Sequence, residues 1–277
     1  MRIGGHTLHE ATAEEREVIW RTAEITGTFR SREEFDRFCC EGSWRVQVSA
    51  REEGAIVAQW RSHLSVLSVK GLWCAQRAIA PIMVQLRDLA NEHGFQDLVG
   101  PITPADRIGP YLDAGMHIVH TGIAMRLDKT RDAERTRITG VELRQATVDD
   151  LSDLLEIDRA CFSDFWRYDA QLMREYLLSE SAVLATAEGR AVGYTMGAVE
   201  RGEGILGRIA VVPSCRRRGV GSALLADAIT RMVRQGARGV SLYTQEDNHV
   251  ARSLYEEAGF RVSGTPQHLC AFGDTRT

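Results

Sequence analysis

Three arginines, Arg216, Arg217 and Arg218, run directly into Gly219-Val220-Gly221. The apolar run Ile209-Ala-Val-Val212 precedes them, and an amphipathic stretch opening at Ser222 follows. Strand, basic glycine-bearing turn and helix therefore meet within a dozen residues. The first backbone N–H groups of a helix have no intrahelical partner. Together with the macrodipole they favour an anion by ~0.3–1 kcal/mol. Gly219 and Gly221 let a diphosphate approach the backbone with no Cβ in the way, and the arginines add charge-assisted donors. A Walker loop is excluded, because no Gly-Lys-Ser/Thr follows. The dinucleotide fingerprint is incomplete, because Leu224 stands where its third glycine belongs. A solvated basic turn fits these residues equally well.

A second stretch narrows the choice. Asn248 is a natural helix N-cap, and Ala251 and Tyr255 follow it on the same face of the helix it opens. Taken singly, Asn248 reads as a plain cap and Tyr255 as core. Beside the basic turn, a polar cap, a small residue and a phenol on one stripe suit a thin phosphate-bearing ligand.

Arg216-x-x-Gly219-x-Gly221, the preceding Ile209–Pro213 and Asn248-x-x-Ala251-x-x-x-Tyr255-x-x-x-Gly259-Phe260 resemble the GCN5-related N-acetyltransferase (GNAT) superfamily. The resemblance implies acetyl-CoA as co-substrate. By it, Arg216, Arg217, Arg218, Gly219, Val220, Gly221 and Ser222 would hold the pyrophosphate. The backbone of Ala210, Val211 and Val212 would pair with the pantetheine arm, and Asn248, Ala251 and Ser253 would line it. Tyr255 would protonate the departing thiolate. A general base is harder to place. Relatives such as the ribosomal-protein N-terminal acetyltransferases carry a glutamate on the fifth strand, where this chain has Tyr243. Glu203, before the fourth strand, is the substitute candidate, with a surface turn residue as the alternative. The loop Cys161-Phe-Ser-Asp-Phe-Trp166 is similar to the substrate-facing loop of those enzymes, making Phe162, Trp166 and Tyr243 the acceptor candidates.

These residues need an α/β frame to hold them. Thr147-Val-Asp-Asp150 caps a helix with Leu151, Leu154, Leu155 and Ile157. Strand patterns follow at 182–187, 191–199, 204–212 and 239–244, with helices at 170–178, 222–235 and 248–258 and a last strand at 260–272. The first half runs through the same order of elements, including a helix expected over 104–112. Tyr111-Leu-Asp-Ala-Gly-Met116 lies 144 positions before Tyr255-Glu-Glu-Ala-Gly-Phe260, and that offset also sets helix 75–93 on 219–237. A register held this long points to internal duplication. The polar, aperiodic stretch 131–138 divides the chain into domains 1–130 and 139–277. Each is expected as a mixed, mostly antiparallel, splayed sheet flanked by helices. At 144 before the motif the first half has Ala75 and Arg77 in place of the two glycines, and Pro104 in place of Asn248. It reads as a degenerate GNAT-like copy that does not bind CoA and supports the substrate groove. Mycothiol synthases have a similar tandem arrangement, with transfer carried by the second copy.

Composition bounds the rest. Of 277 residues 44% are hydrophobic and 26% charged, and net charge is -4. That balance argues against a nucleic-acid-coating protein. No apolar run approaches the ~18 residues that span a bilayer, and residues 1–6 lack a signal-peptide pattern, so no membrane partner and a cytoplasmic location are expected. Six cysteines and eight histidines show no metal-site spacing, so no metal is expected. The leading reading is an acetyl-CoA-dependent N-acetyltransferase of a small primary amine. A protein N-terminal or lysine acetyltransferase and a non-catalytic acyl-CoA sensor are the alternatives. The chain is expected as a monomer, itself a pseudo-dimer, or as a homodimer.

Overall fold

The structure, a computed structural model, describes residues 7–26, 31–40, 44–49, 53–128, 140–179 and 181–273. The expected linker 131–138 lies outside these. The chain forms two compact units, 1–121 with 267–276 and 122–266.

The first unit opens with β1 (His9–Glu10), α1 (Ala13–Thr26) and α2 (Arg32–Cys40). β2 (Trp44–Val48), β3 (Gly54–Gln59) and β4 (Val66–Trp73) follow as an antiparallel meander. Helix α3 (Ile79–Glu92) then crosses to β5 (Asp97–Val99), which pairs parallel with β4 over Val66–Ser68. Pro81 sits within the first turn of α3, where its missing N–H has no intrahelical role. The helix expected over 104–112 is broken. Thr103–Pro104 is a short strand, β6, residues 105–107 form a 3₁₀ turn, and α4 covers only Gly109–Asp113. Pro110, in the interior of that stretch, removes a donor that one continuous helix would need. The sheet of this unit is finished from the far end of the sequence: Ala271 pairs with Val99, and Gln267 with Pro104. The core gathers Ile82, Met83 and Leu86 of α3 with Val57, Leu98, Tyr111, Met116 and Cys270.

β7 (His117–Leu127) leads out of the first unit, and its residues 122–127 are counted in the second. There follow β8 (Val141–Gln145), α5 (Leu151–Cys161), α6 (Ala170–Ser179), β9 (Ser181–Ala187), β10 (Arg190–Glu200) and β11 (Glu203–Val211). Helix α7 (Val220–Arg234) crosses to β12 (Val240–Gln245), and α8 (His249–Glu257) precedes β13 (Arg261–Ala271). Strands β8 to β11 form an antiparallel meander, β12 joins β11 in parallel, and Gly122–Leu127 of β7 closes the far side of β12. The capping box expected at Thr147 forms, with the Asp150 carboxylate accepting from the Thr147 N–H at 2.9 Å. Helices α5 and α6 cover one face of the meander, against Leu184, Tyr194, Met196 and Ala210. Helix α7 covers the other, its Leu224 against Val183, Ala185 and Val192, its Leu225 and Ile229 against Leu206, Val240 and Leu242.

Both units therefore run meander, parallel crossover and an antiparallel strand contributed by the other half of the sequence. Tyr111 and Tyr255, 144 apart, are both buried, at 5% and 6% exposure. Ahead of the crossover helix the spacing is smaller: Leu67 pairs with Leu98 and Leu206 with Leu242, so the strand partners are 139 apart on one side and 144 on the other. Between these pairs the first unit is shorter by five residues, three of them in the strand-to-helix turn, 74–78 against 212–219.

Candidate functional site

Strands β11 and β12 are registered only at Gly204–Leu206 opposite Val240–Leu242. Beyond that, β11 pairs on to Val211 with β10 alone, and β12 pairs on to Gln245 with β7 alone. The two strands part, and among the described residues the backbone groups of 207–211 and 243–245 that face the gap have no strand partner. Such groups are expensive to leave unmet, and at Val211 the carbonyl is met by side chains, Arg216 and Cys161.

The basic turn stands at the end of β11. Gly219 is the N-cap of α7 in the left-handed conformation, φ 82°. A side chain there would be strained, whereas a Cβ on Gly221 would lie 3.5 Å from Leu254, ordinary contact. Arg217 is also left-handed, φ 59°, two residues before Gly219. Left-handed residues placed this way turn successive N–H groups to one side, the concavity that holds anions. Arg216, Arg217, Arg218 and Ser222 are exposed and Gly221 is half-buried. Arg216 is committed in part, because its Nε donates to the Val211 carbonyl at 3.0 Å. Arg217 and Arg218 form no ion pair among the described residues.

Three expected cofactor residues contribute little by side chain. Ala210 and Val220 are buried core, and the Val212 N–H already donates to the Val192 carbonyl at 2.9 Å. On α8, Asn248 is the N-cap, its Oδ1 accepting from the Ala251 N–H at 3.2 Å. Ala251 and Leu254 pack on the core, Ser253 is exposed, and Tyr255 is buried beside Phe260 with ring centroids 5.9 Å apart. Burial pushes the Tyr255 phenol up to about 12.

Residues 151–260 match the acetyltransferase (GNAT) family. The second unit is a GNAT domain. The whole chain superposes on the tandem GNAT protein from the clavulanic acid biosynthesis pathway with a TM-score of 0.71, covering 96% of this chain and 97% of that one at 14% identity, which establishes a shared tandem fold. A mycothiol acetyltransferase of Clavibacter sepedonicus is 29% identical over 57% of this chain and 54% of its own length. An N-alpha-acetyltransferase of Sulfolobus acidocaldarius is 28% identical over 53% of this chain and 95% of its own. The chain thus spans about half the length of the mycothiol acetyltransferases it matches.

Glu203 does not join the residues of the GNAT domain's wedge. It precedes the first β11–β12 pair, at the closed end. Its Oε1 accepts from Arg126 Nη1 and, at 2.6 Å, from the Ser241 hydroxyl. A carboxylate so engaged closes the strand pair and is poorly placed to take a proton from an acceptor. Tyr243 lies beyond Leu242, where the strands have separated, and is 38% exposed. Its ring lies across Gly122 of β7, where a Cβ would overlap the ring. Burial pushes this phenol also up to about 12, which disqualifies it as a base near neutral pH.

The loop after α5 is held by residues that sequence reading passed over. Asp158 is fully buried and forms an ion pair with Arg208 of β11 at 2.6 Å. The Tyr194 hydroxyl donates to the same carboxylate oxygen, and the Tyr168 N–H donates to the other at 2.7 Å. Arg208 donates in addition to the Trp166 carbonyl at 2.7 Å, and its guanidinium stacks 4.1 Å from the Phe162 ring and 3.5 Å from the Tyr168 ring. Burial, with the Asp158 charge beside it, holds the Tyr194 phenol well above its ordinary range. Phe162 is thus spoken for by packing, and Trp166 is half-buried edge-on to Phe165. Two signals in the sequence could have found this cluster. Asp158 falls on the apolar stripe Leu154, Ile157 and Cys161 of α5, and Arg208 interrupts the apolar run of β11.

Among the described residues no group of three or more His, Cys, Asp or Glu could hold a metal ion, and no helix is long and apolar enough to cross a membrane.

Proposed function

We propose that the second unit transfers an acetyl group from acetyl-CoA to a primary amine. The parting of β11 from β12 after Leu206 and Leu242, with the basic turn at its end, carries this reading. Gly219, Val220, Gly221 and Ser222 offer backbone N–H groups to the pyrophosphate, and Arg217 and Arg218 add charge. The pantetheine lies in the wedge as an extra strand against 207–211, with the Val211 carbonyl held by Arg216. The acetyl carbonyl takes an N–H from the opened strand, where developing charge is stabilised.

Tyr255 keeps its proton at any working pH, because its phenol is pushed up to about 12. It offers that O–H to the thiolate as the tetrahedral intermediate collapses. With Glu203 engaged elsewhere, the amine sheds its proton to water before attack. Juxtaposition of the two substrates then supplies most of the rate. The names of the relatives, mycothiol acetyltransferase and N-alpha-acetyltransferase, frame the acceptor as a small amine or an α-amino group, and the wider match in this chain belongs to the first.

A panel of glucosamine, a peptide with a free alanyl N-terminus and a lysine-bearing peptide tests the reading with acetyl-CoA, by thiol release. The expected outcome is turnover with glucosamine above the two peptides. Tyr255→Phe should lower kcat by ~10²-fold and leave the acetyl-CoA KM within ~3-fold, as loss of a proton donor does. The rate should rise with pH until the amine's own pKa, ~8–10, is passed. Acetyl-CoA binding without turnover on any amine would leave an acyl-CoA sensor as the function.

A further inference from the structure

We infer that Arg208 is a positioning residue for the acceptor, clamping the loop 162–168 onto the splayed part of β11. The inference rests on the acetyltransferase reading above. Two independent contacts tie this loop to β11, both on the part of the strand that has left β12. At its start, Cys161 Sγ–H donates to the Val211 carbonyl at 3.3 Å. At its end, Tyr168 stacks on Arg208 and its N–H donates to Asp158. Between them Arg208 holds the Trp166 carbonyl. One side chain therefore reaches both ends of the aromatic run, Phe162 and Tyr168, and its middle.

The chemistry explains why an arginine stands here. A planar guanidinium can donate to a carboxylate and a carbonyl in one plane and present its face to two aromatic rings. Lysine, a point charge on a flexible stem, cannot do all of these. The pair is nearly water-free, with the Arg208 side chain 9% and the Asp158 side chain 0% exposed, so either charge alone would be costly to bury. Tyr194, fully buried on the neighbouring strand, adds a donor to Asp158 and fixes the rotamer of the carboxylate. The cofactor turn begins several residues later, at Arg216, which meets the start of the loop at Cys161 and the Val211 carbonyl they share, away from the Arg208 guanidinium and its contacts with Asp158, Trp166 and Tyr168. Loosening the clamp should therefore change how the acceptor is received and leave CoA binding alone.

Arg208→Lys is the decisive variant, since it keeps a cation opposite Asp158. Hydrogen exchange of the 162–168 peptide, measured without substrates, should quicken by about tenfold or more, because the Tyr168 and Trp166 anchors loosen. Acetyl-CoA affinity by calorimetry should stay within about twofold, acceptor KM should rise about tenfold, and kcat at saturating acceptor should stay within about threefold. Tyr194→Phe, which leaves the ion pair intact, should show the same pattern at smaller size. Unchanged exchange of the loop in Arg208→Lys overturns the inference, and so does a fall in acetyl-CoA affinity matching the change in acceptor KM. Failure of the acetyltransferase reading would show separately, as absence of transfer by the unmodified chain with every amine of the panel.

Discussion

At the scale of single residues, the turn at 216–221 was legible because its physics is local. A strand, two glycines and a helix start specify a tight turn with unpaired helix N–H groups with no help from distant parts of the chain. Gly219 does need its left-handed conformation, and Gly221 lies where the wedge meets the helix. Gly221→Ala should leave acetyl-CoA affinity within ~3-fold, since a methyl only reaches Leu254 at contact distance. Gly221→Glu should weaken it by ~10²-fold or more by setting a carboxylate against the pyrophosphate. Calorimetry of both variants checks this, and equal affinity in the two would show that the phosphates bind elsewhere. Asp158, Arg208 and Glu203 were not legible in the same way. A charged residue in one helix and another in a strand reveal nothing of their pairing until the sheet brings them together. Glu203 drew attention by its place before β11, yet its partners, Arg126 and Ser241, lie 77 and 38 residues away in sequence.

At the scale of elements, the periodicities placed most helices and strands, and the repeat offset aligned α3 with α7 and Tyr111 with Tyr255. The strands that finish each sheet were not foreseen. A cut between 130 and 139 gives each half its own last strand. The folded units instead take residues 267–276 into the first and 122–127 into the second. Nothing in hydrophobic alternation selects between two edges of like pattern, since alternation sets which face is buried and not which neighbour is chosen. Truncation after Pro266 tests this assignment. It removes Ala271, the partner of Val99, with the buried Cys270 and the Gly273 N–H that donates to Asp97 at 2.8 Å. The loss should cost the first unit ~2–4 kcal/mol by the usual cost of emptying a core position. Hydrogen exchange would then show Leu98 and Val99 losing protection while Leu206 and Leu242 keep theirs. The reverse pattern would restore the simple division at the linker.

At the scale of the molecule, two copies of one topology differ chiefly in the turn ahead of the crossover helix. The second unit keeps the longer basic turn at the mouth of its wedge. In the first, Gln76–Ala78 form a short 3₁₀ turn capped by Ala75, with no spaced glycines. Tyr111 persists there as core, with burial raising its phenol. Calorimetric titration of the whole chain with acetyl-CoA tests the central claim most directly. One site per chain is predicted, abolished by Gly221→Glu. Two equivalent sites, or a single site untouched by that substitution, would contradict it.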